Sequence, residues 1–202
     1  MPNPTPTKGN LMALKRSLTL ARLGYDLMDR KRNILIREIM GLLDRAAALQ
    51  GRIDSTFSDA YAALRSANIT LGQHMDLADS VTLDASVGIR FRSVMGVEIP
   101  IVSAGEETEA IVPYGFTLSN SQLDEAREGF IRVKHLTREL AEVETSIYRL
   151  AVAIKKTQKR ANALQNIIIP DFTKGVKFIT DALEEKEREE FSRLKVIKAR
   201  KG

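Results

Sequence analysis

The chain offers little that could make or break bonds. His74 and His135, its two histidines, each stand alone, with no H-E-x-x-H spacing and no neighbouring ligand residues to share a metal ion. A solvated or structural histidine is the plainer reading of both. Gly24, Gly41 and Gly51 occur singly within helical pattern and match neither G-x-x-x-x-G-K-S/T nor G-x-G-x-x-G, so no loop is built to cradle a phosphate. Gly41 and Gly51 read instead as places where another helix comes close. The run Glu184-Glu185-Lys186-Glu187-Arg188-Glu189-Glu190 gathers carboxylates, but Glu184 with Arg188, Lys186 with Glu190 and Glu189 with Arg193 have the i,i+4 spacing of pairs on a solvated helix face. The absence of cysteine excludes disulfides, thiolate metal sites and cysteine nucleophiles, and fits a reducing compartment. No catalytic, cofactor-binding or metal-binding residue is assigned, and no cofactor is expected.

The basic residues carry more information. A net charge of +5 conceals a segregation: residues 1–40 hold eight Lys/Arg against three Asp/Glu, residues 41–120 five against ten, and residues 121–202 eighteen against thirteen. Both ends are basic and the middle is acidic, which bears on partners more than on fold. Arms rich in Lys and Arg could follow nucleic-acid phosphates. Here, though, the cations are mixed with carboxylates, lack aromatic platforms and recur around an apolar seam.

That seam identifies the elements. After a Pro-rich entry, Thr7 is a candidate N-cap, and one heptad register follows. Its a and d positions are Leu11, Leu14, Leu18, Ala21, Tyr25, Met28, Arg32, Leu35, Ile39, Leu42, Ala46, Leu49 and Ile53, continuing through Thr56, Ala60, Ala63 and Ala67. The last four are small and invite close approach. Up to Ile53, Arg32 is the one position that is not apolar, read as a charge that snorkels to solvent or as a register-fixing residue, the first being the plainer. The second half repeats the pattern through Leu123, Ala126, Phe130, Val133, Leu136, Leu140, Val143, Ile147, Leu150, Ile154, Thr157, Ala161, Leu164 and Ile168, then Val176, Ile179, Leu183, Phe191, Leu194 and Ile197. Pro170 should kink this arm near Asn166 without ending it. Between the arms, residues 86–102 alternate in β-formers around a Met95-Gly96 turn, a hairpin whose second strand must be an edge because Pro100 cannot donate. Ser119, Asn120 or Ser121 would cap the second arm.

The expected fold is therefore dominated by α-helix: a long antiparallel two-helix coiled coil with a small insert containing a β-hairpin. The expected division is an N-terminal arm at 1–70, an insert at 71–118 and a C-terminal arm at 119–202. No stretch approaches the roughly 20 apolar residues of a membrane span, and MPNPTPTKGN lacks a signal-peptide core. A cytoplasmic, soluble chain is expected.

Five stretches resemble a known family. P-T-K-x-x-L-x-x-L-K (Pro6 to Lys15) and G-x-x-L-x-x-x-K-R-x-x-L (Gly24 to Leu35) resemble the start of the D subunit of V-type and A-type rotary ATPases. IKKTQKRANALQNIIIP (Ile154 to Pro170), LEEKEREEFSRLKVIK (Leu183 to Lys198) and VMGVEIP (Val94 to Pro100) resemble its C-terminal arm and hairpin turn. The resemblance implies a non-catalytic central-stalk rotor shaft, coupling ATP hydrolysis or synthesis in a hexamer of A and B subunits to rotation of a membrane ring that translocates protons or sodium ions. Implied partners are that hexamer, a small F subunit and a funnel-shaped stalk protein on the ring, with the shaft peripheral to the membrane and not inserted in it.

If the arms pair with residue 70 near residue 121, Arg30 and Lys31 stand level with Lys155, Lys156, Lys159 and Arg160. Such a collar of cations would call for carboxylates on a surrounding stator. The alternatives are a nucleic-acid-binding coiled coil and a stand-alone structural or tethering coiled coil.

Overall fold

The computed structural model describes residues 5–72, 87–104, 114–115 and 119–201. His74 and residues 105–110, an acidic stretch whose sequence reads as a loop, lie outside them. The described elements are helix α1 (Lys8–Leu71), strands β1 (Val87–Val94) and β2 (Val97–Ala104), helix α2 (Ser121–Ala163), a π-helical turn (Leu164–Ile168) and helix α3 (Ile169–Lys201). The chain divides into two compact units: unit 1 is Met1–Ile34 with Ile154–Gly202, and unit 2 is Leu35–Ala153.

Local chemistry sets the helix ends. Thr7 caps α1, its Oγ1 accepting from the Asn10 N–H at 3.2 Å, as a side-chain oxygen at N-cap should. At the other end Gly72, at φ +74, donates its N–H to the Asn68 carbonyl at 3.0 Å. This left-handed stop is one that glycine adopts without a Cβ penalty. Asn120 caps α2, its Oδ1 accepting from the Leu123 N–H at 2.9 Å.

In unit 2 the two helical segments run antiparallel. Thr70 bonds Gln122 at 3.0 Å, a Cβ placed on Gly129 would lie 2.9 Å from that of Ala60, and Arg45 pairs with Glu139, so partners descend along α2 as α1 ascends. Ala46, Leu49 and Val143 form the core, with Leu42, Leu136, Leu140 and Ile147 packed against it. Tyr61 meets Phe130 edge-on at 5.3 Å between centroids and stacks on Phe57. Gly41 and Gly51 do not mark a helix contact, for nothing lies within 4 Å of a Cβ built on either. Both are exposed because the heptad places them at c and f, away from the seam. The close approach falls instead at Gly129, opposite the small residue Ala60.

The hairpin also belongs to unit 2. Its strands pair antiparallel from Val87 with Ala104 to Val94 with Val97, two residues beyond the expected 102. Met95 (φ 51) and Gly96 (φ 75) form the loop, the two positive φ angles of a primed turn. The Val102 N–H leaves the sheet to donate to Glu142 at 2.7 Å. Pro100, two residues before, shares that outward edge, so its missing donor breaks no ladder bond. Ile99 is buried, and Arg92 bonds Glu38 at 3.3 Å.

Unit 1 is antiparallel as well: Arg32 bonds Gln158, a Cβ on Gly24 would meet Leu164, one on Gly175 would meet Leu14, and Lys8 pairs with Glu187. Ile168 and Val176 are eight residues apart where a heptad allows seven. The π turn absorbs the extra residue, with the Ile169 N–H reaching back to the Leu164 carbonyl. It also sits where Pro170 can donate nothing, so the helical run continues into α3 with the seam one residue out of its former phase: Ile179 is buried, Phe178 exposed. Beyond Glu187 the residues Phe191, Leu194 and Ile197 are exposed, for helix α1 begins at Lys8, which pairs with Glu187.

Candidate functional site

Unit 1 holds the basic cluster. The Arg32–Gln158 hydrogen bond, 2.7 Å, puts Arg30 and Lys31 level with Lys159 and Arg160, with Lys155 and Lys156 about one helical turn away. By heptad position Arg30 and Lys159 are at f, Lys155 and Lys156 at b and c, and Lys31 and Arg160 at g. These six therefore point around the helix pair and not along one side. Lys31 is half-buried and the other five are exposed. None has an ion-pair partner among the described residues. Cations crowded at one height without counter-charges raise the local positive potential, which an acidic surface would relieve.

Arg32 behaves differently and corrects the snorkelling expectation. Its guanidinium pairs with Asp29 one turn back and donates to Gln158 Oε1 across the seam. The side chain is 27% exposed. It stays inward because acceptors stand on both helices, and a polar bridge of this kind favours one register over its neighbours. Sequence alone could have found it by asking which acceptors face Arg32 once the arms are aligned.

The seam positions named from the heptads are placed as follows. Leu35 is buried, while Leu11, Leu14, Leu18, Met28, Ile39, Leu42, Leu140, Ile147, Ile154, Leu164 and Ile168 are half-buried. Sequence reasoning missed the clamp on the hairpin. Arg149 of α2 donates to the Glu98 carbonyl at 3.1 Å and lies 5.2 Å from the centroid of the Phe91 ring, a cation over an aromatic face. Nor do the basic residues lack open aromatics, for Tyr148 is 70% exposed on α2. Phe178 and Phe191 are exposed on the same arm too, but rings this far apart along a helix make no stacking row.

Among the described residues two groups are electrostatically shifted, both in unit 2. The hydrogen bond to Glu139 raises the Arg45 guanidinium above its ordinary value. Burial, followed by the hydrogen bond to Asp124, pushes the Tyr114 phenol up to about 12. Among the described residues no group of His, Asp or Glu is arranged to hold a metal ion, and no helix is long and apolar enough to cross a membrane.

Comparison with known proteins decides the family. Residues 10–199 match the family model for the ATP synthase D subunit. The chain belongs to that family. It is 45% identical to the V-type ATP synthase D subunit of Thermotoga neapolitana, the alignment covering 96% of each chain. It is 38% identical to the A-type ATP synthase D subunit of Thermococcus kodakarensis, covering 98% of this chain and 94% of the relative. The A-type D subunit of Methanobrevibacter smithii is 37% identical over 96% of this chain and 86% of its own. The family match spans the hairpin, the π turn and all six basic residues.

Proposed function

We propose that this chain is the central-stalk rotor shaft of a V/A-type ATPase or ATP synthase, carrying torque between a catalytic hexamer of A and B subunits and an ion-translocating membrane ring. The observation that carries this reading is the match to the ATP synthase D subunit from residue 10 to residue 199. A helix pair suits such a role, since helices closed along a seam resist twisting. The shaft is non-catalytic and binds no nucleotide. It is cytoplasmic and peripheral to the membrane, with a small F subunit and a funnel-shaped stalk protein as further partners, and it takes no nucleic acid. The direct test is affinity purification of the chain from its native membrane with identification of what accompanies it. A and B subunits are expected; recovery of nucleic-acid-binding proteins or of the chain alone overturns the reading.

Within it, Arg30, Lys31, Lys155, Lys156, Lys159 and Arg160 are the contacts with the stator, supported by the exposure of all but Lys31 and by heights within about one helical turn of each other. Replacing all six by Gln keeps helix propensity nearly unchanged and leaves Arg32 in place. The isolated chain should melt as before, because exposed charges add little to folding. Association with the hexamer should become slower and less salt-dependent. Equal rates and equal salt dependence for parent and variant would remove the collar from the mechanism.

A further inference from the structure

The side of α1 turned away from its seam carries a second apolar row. With Leu18, Tyr25 and Arg32 at a, the residues Leu20, Leu27 and Ile34 fall at c and Leu23 at f, spaced as an a/d seam is spaced but on the opposite side of the helix. They are 68%, 65%, 40% and 54% exposed in that order. A helix that is apolar on two faces and covered on one still has a face to bury. The row is also local. Further along α1 the same positions are Arg37, Gly41, Asp44, Ala48, Gly51, Ser55, Ser58, Ala62 and Arg65, all small or polar, before an isolated Ile69 at the end of the helix.

Charge narrows the choice of cover. Arg16 and Arg30 sit on the row and Lys31 beside it, against one carboxylate, Asp26, on the other flank. Two copies of the row placed face to face would bring those cations together, which is unfavourable. A lipid surface suits it poorly, since an interfacial helix sinks a broad apolar face, and the seam face of α1 is already engaged.

We infer that Leu20, Leu23, Leu27 and Ile34 form a docking row for a protein segment that is apolar along its centre and flanked by carboxylates, presented by the wall of the A/B hexamer. This rests on the rotor-shaft reading and adds to it an apolar contact that adjoins the basic collar at Arg30 and Lys31. The row gives unit 1 one side that grips and others that do not, so the shaft meets the wall differently as it turns.

The test uses the full chain and an A/B hexamer assembled from the same source, comparing the parent with Leu20→Gln, Leu23→Gln, Leu27→Gln combined. Gln matches Leu closely in helix propensity and these positions are open, so helix content and melting should not fall; both are measured first. The variant should leave the hexamer about tenfold faster or more, as loss of apolar anchors acts on dissociation, while the salt dependence of its on-rate stays that of the parent because every cation is retained. Equal dissociation of variant and parent overturns the docking row. So does concentration-dependent dimerisation of the parent that the variant lacks, which would make a second copy the occupant. Binding of the parent, but not the variant, to vesicles of equal phosphatidylserine and phosphatidylcholine also overturns it. If the parent itself does not bind the hexamer, it is the rotor-shaft reading that fails.

Discussion

Units 1 and 2 use the same antiparallel helix pattern and bury different things with it. In unit 2 the buried side chains include Leu35, Leu49, Ile53, Val133, Val143 and Leu150, with Ile99 of the hairpin added from the side. In unit 1 the buried positions are Ala21, Thr157, Ala161 and Ile179, while Leu20, Leu23, Leu27 and Ile167 stand open. A fully buried Leu or Ile contributes about 1.5 to 3 kcal/mol and an alanine much less. Unit 2 therefore draws its cohesion from large buried side chains, although Ile36, Met40, Leu43, Ile69 and Tyr148 stand open there too. Unit 1 keeps large ones outside, where they stabilise nothing until a partner covers them.

The largest expected effect separates the units directly. Leu35→Ala or Leu150→Ala should cost about 2 to 5 kcal/mol, the usual range for emptying a filled site. Leu27→Ala, at an open position, should change stability by about 0.5 kcal/mol or less. Urea unfolding of the three variants measures both. A Leu27→Ala loss as large as that at Leu150 would mean that the outer row is already packed within the isolated chain, and the contrast would be gone.

Glycines give a second, smaller contrast. A Cβ on Gly129 would stand 2.9 Å from the Ala60 Cβ and 3.2 Å from its Cα, so the backbones must part. Overpacking of about 1 to 3 kcal/mol, offset by about 1 kcal/mol of helix propensity, predicts a net loss for Gly129→Ala. In unit 1 a Cβ on Gly175 would meet only the Leu14 side chain, its Cδ2 at 2.8 Å, the end of a chain free to turn. Gly175→Ala should be near neutral. Gly41→Ala, with open space around it, should gain about 1 kcal/mol. Thermal unfolding ranks the three, and a stabilised Gly129→Ala would show that Ala60 and Gly129 are not in tight contact.

Much of this architecture is legible in the residues, and the exceptions share a cause. Heptad spacing exposes the two arms because burial along a seam repeats with the helix. Met95-Gly96 announces the hairpin because the turn needs positive φ, and Thr7 announces a cap, with Asn120 one of three candidates for the second, because their side chains can accept from the backbone. What escapes depends on the partner helix or on looking past a single stripe. Gly129 matters because Ala60 faces it, and Arg32 turns inward because Gln158 does. The step from Ile168 to Val176 held the π turn in plain sight, but a proline beside it offers a simpler explanation of a disturbed pattern. The outer row of Leu20, Leu23 and Leu27 has the same spacing as the seam and was hidden by it. The basic residues could be named from sequence, whereas their common height waits on the alignment of the arms.

The smallest expected effect tests how unit 2 secures the start of α2. Tyr114 donates its hydroxyl to Asp124 at 2.7 Å, beside the Asn120 cap and the Asn120–Thr70 hydrogen bond at 2.6 Å. Burial disfavours the ionised phenol first, and ionising it would also remove the donor and place a second negative charge beside the carboxylate, so the neutral form is favoured in the folded chain. Its pKa rises from 10.0 to about 12. The sign follows from linkage: a group whose folded pKa is raised contributes stability that is complete below the unfolded value and disappears as pH climbs through the folded one. The parent should thus lose stability relative to Tyr114→Phe between about pH 10 and 12, and their difference should be constant below that window. Tyr114 is only half-buried, so solvent screening keeps the change small. Chemical unfolding of both proteins at pH 8, 10 and 11.5 reads it out. A difference that is flat across the series would mean that Tyr114 and Asp124 do not hold this end of the helix, leaving Asn120 and Thr70 to do so.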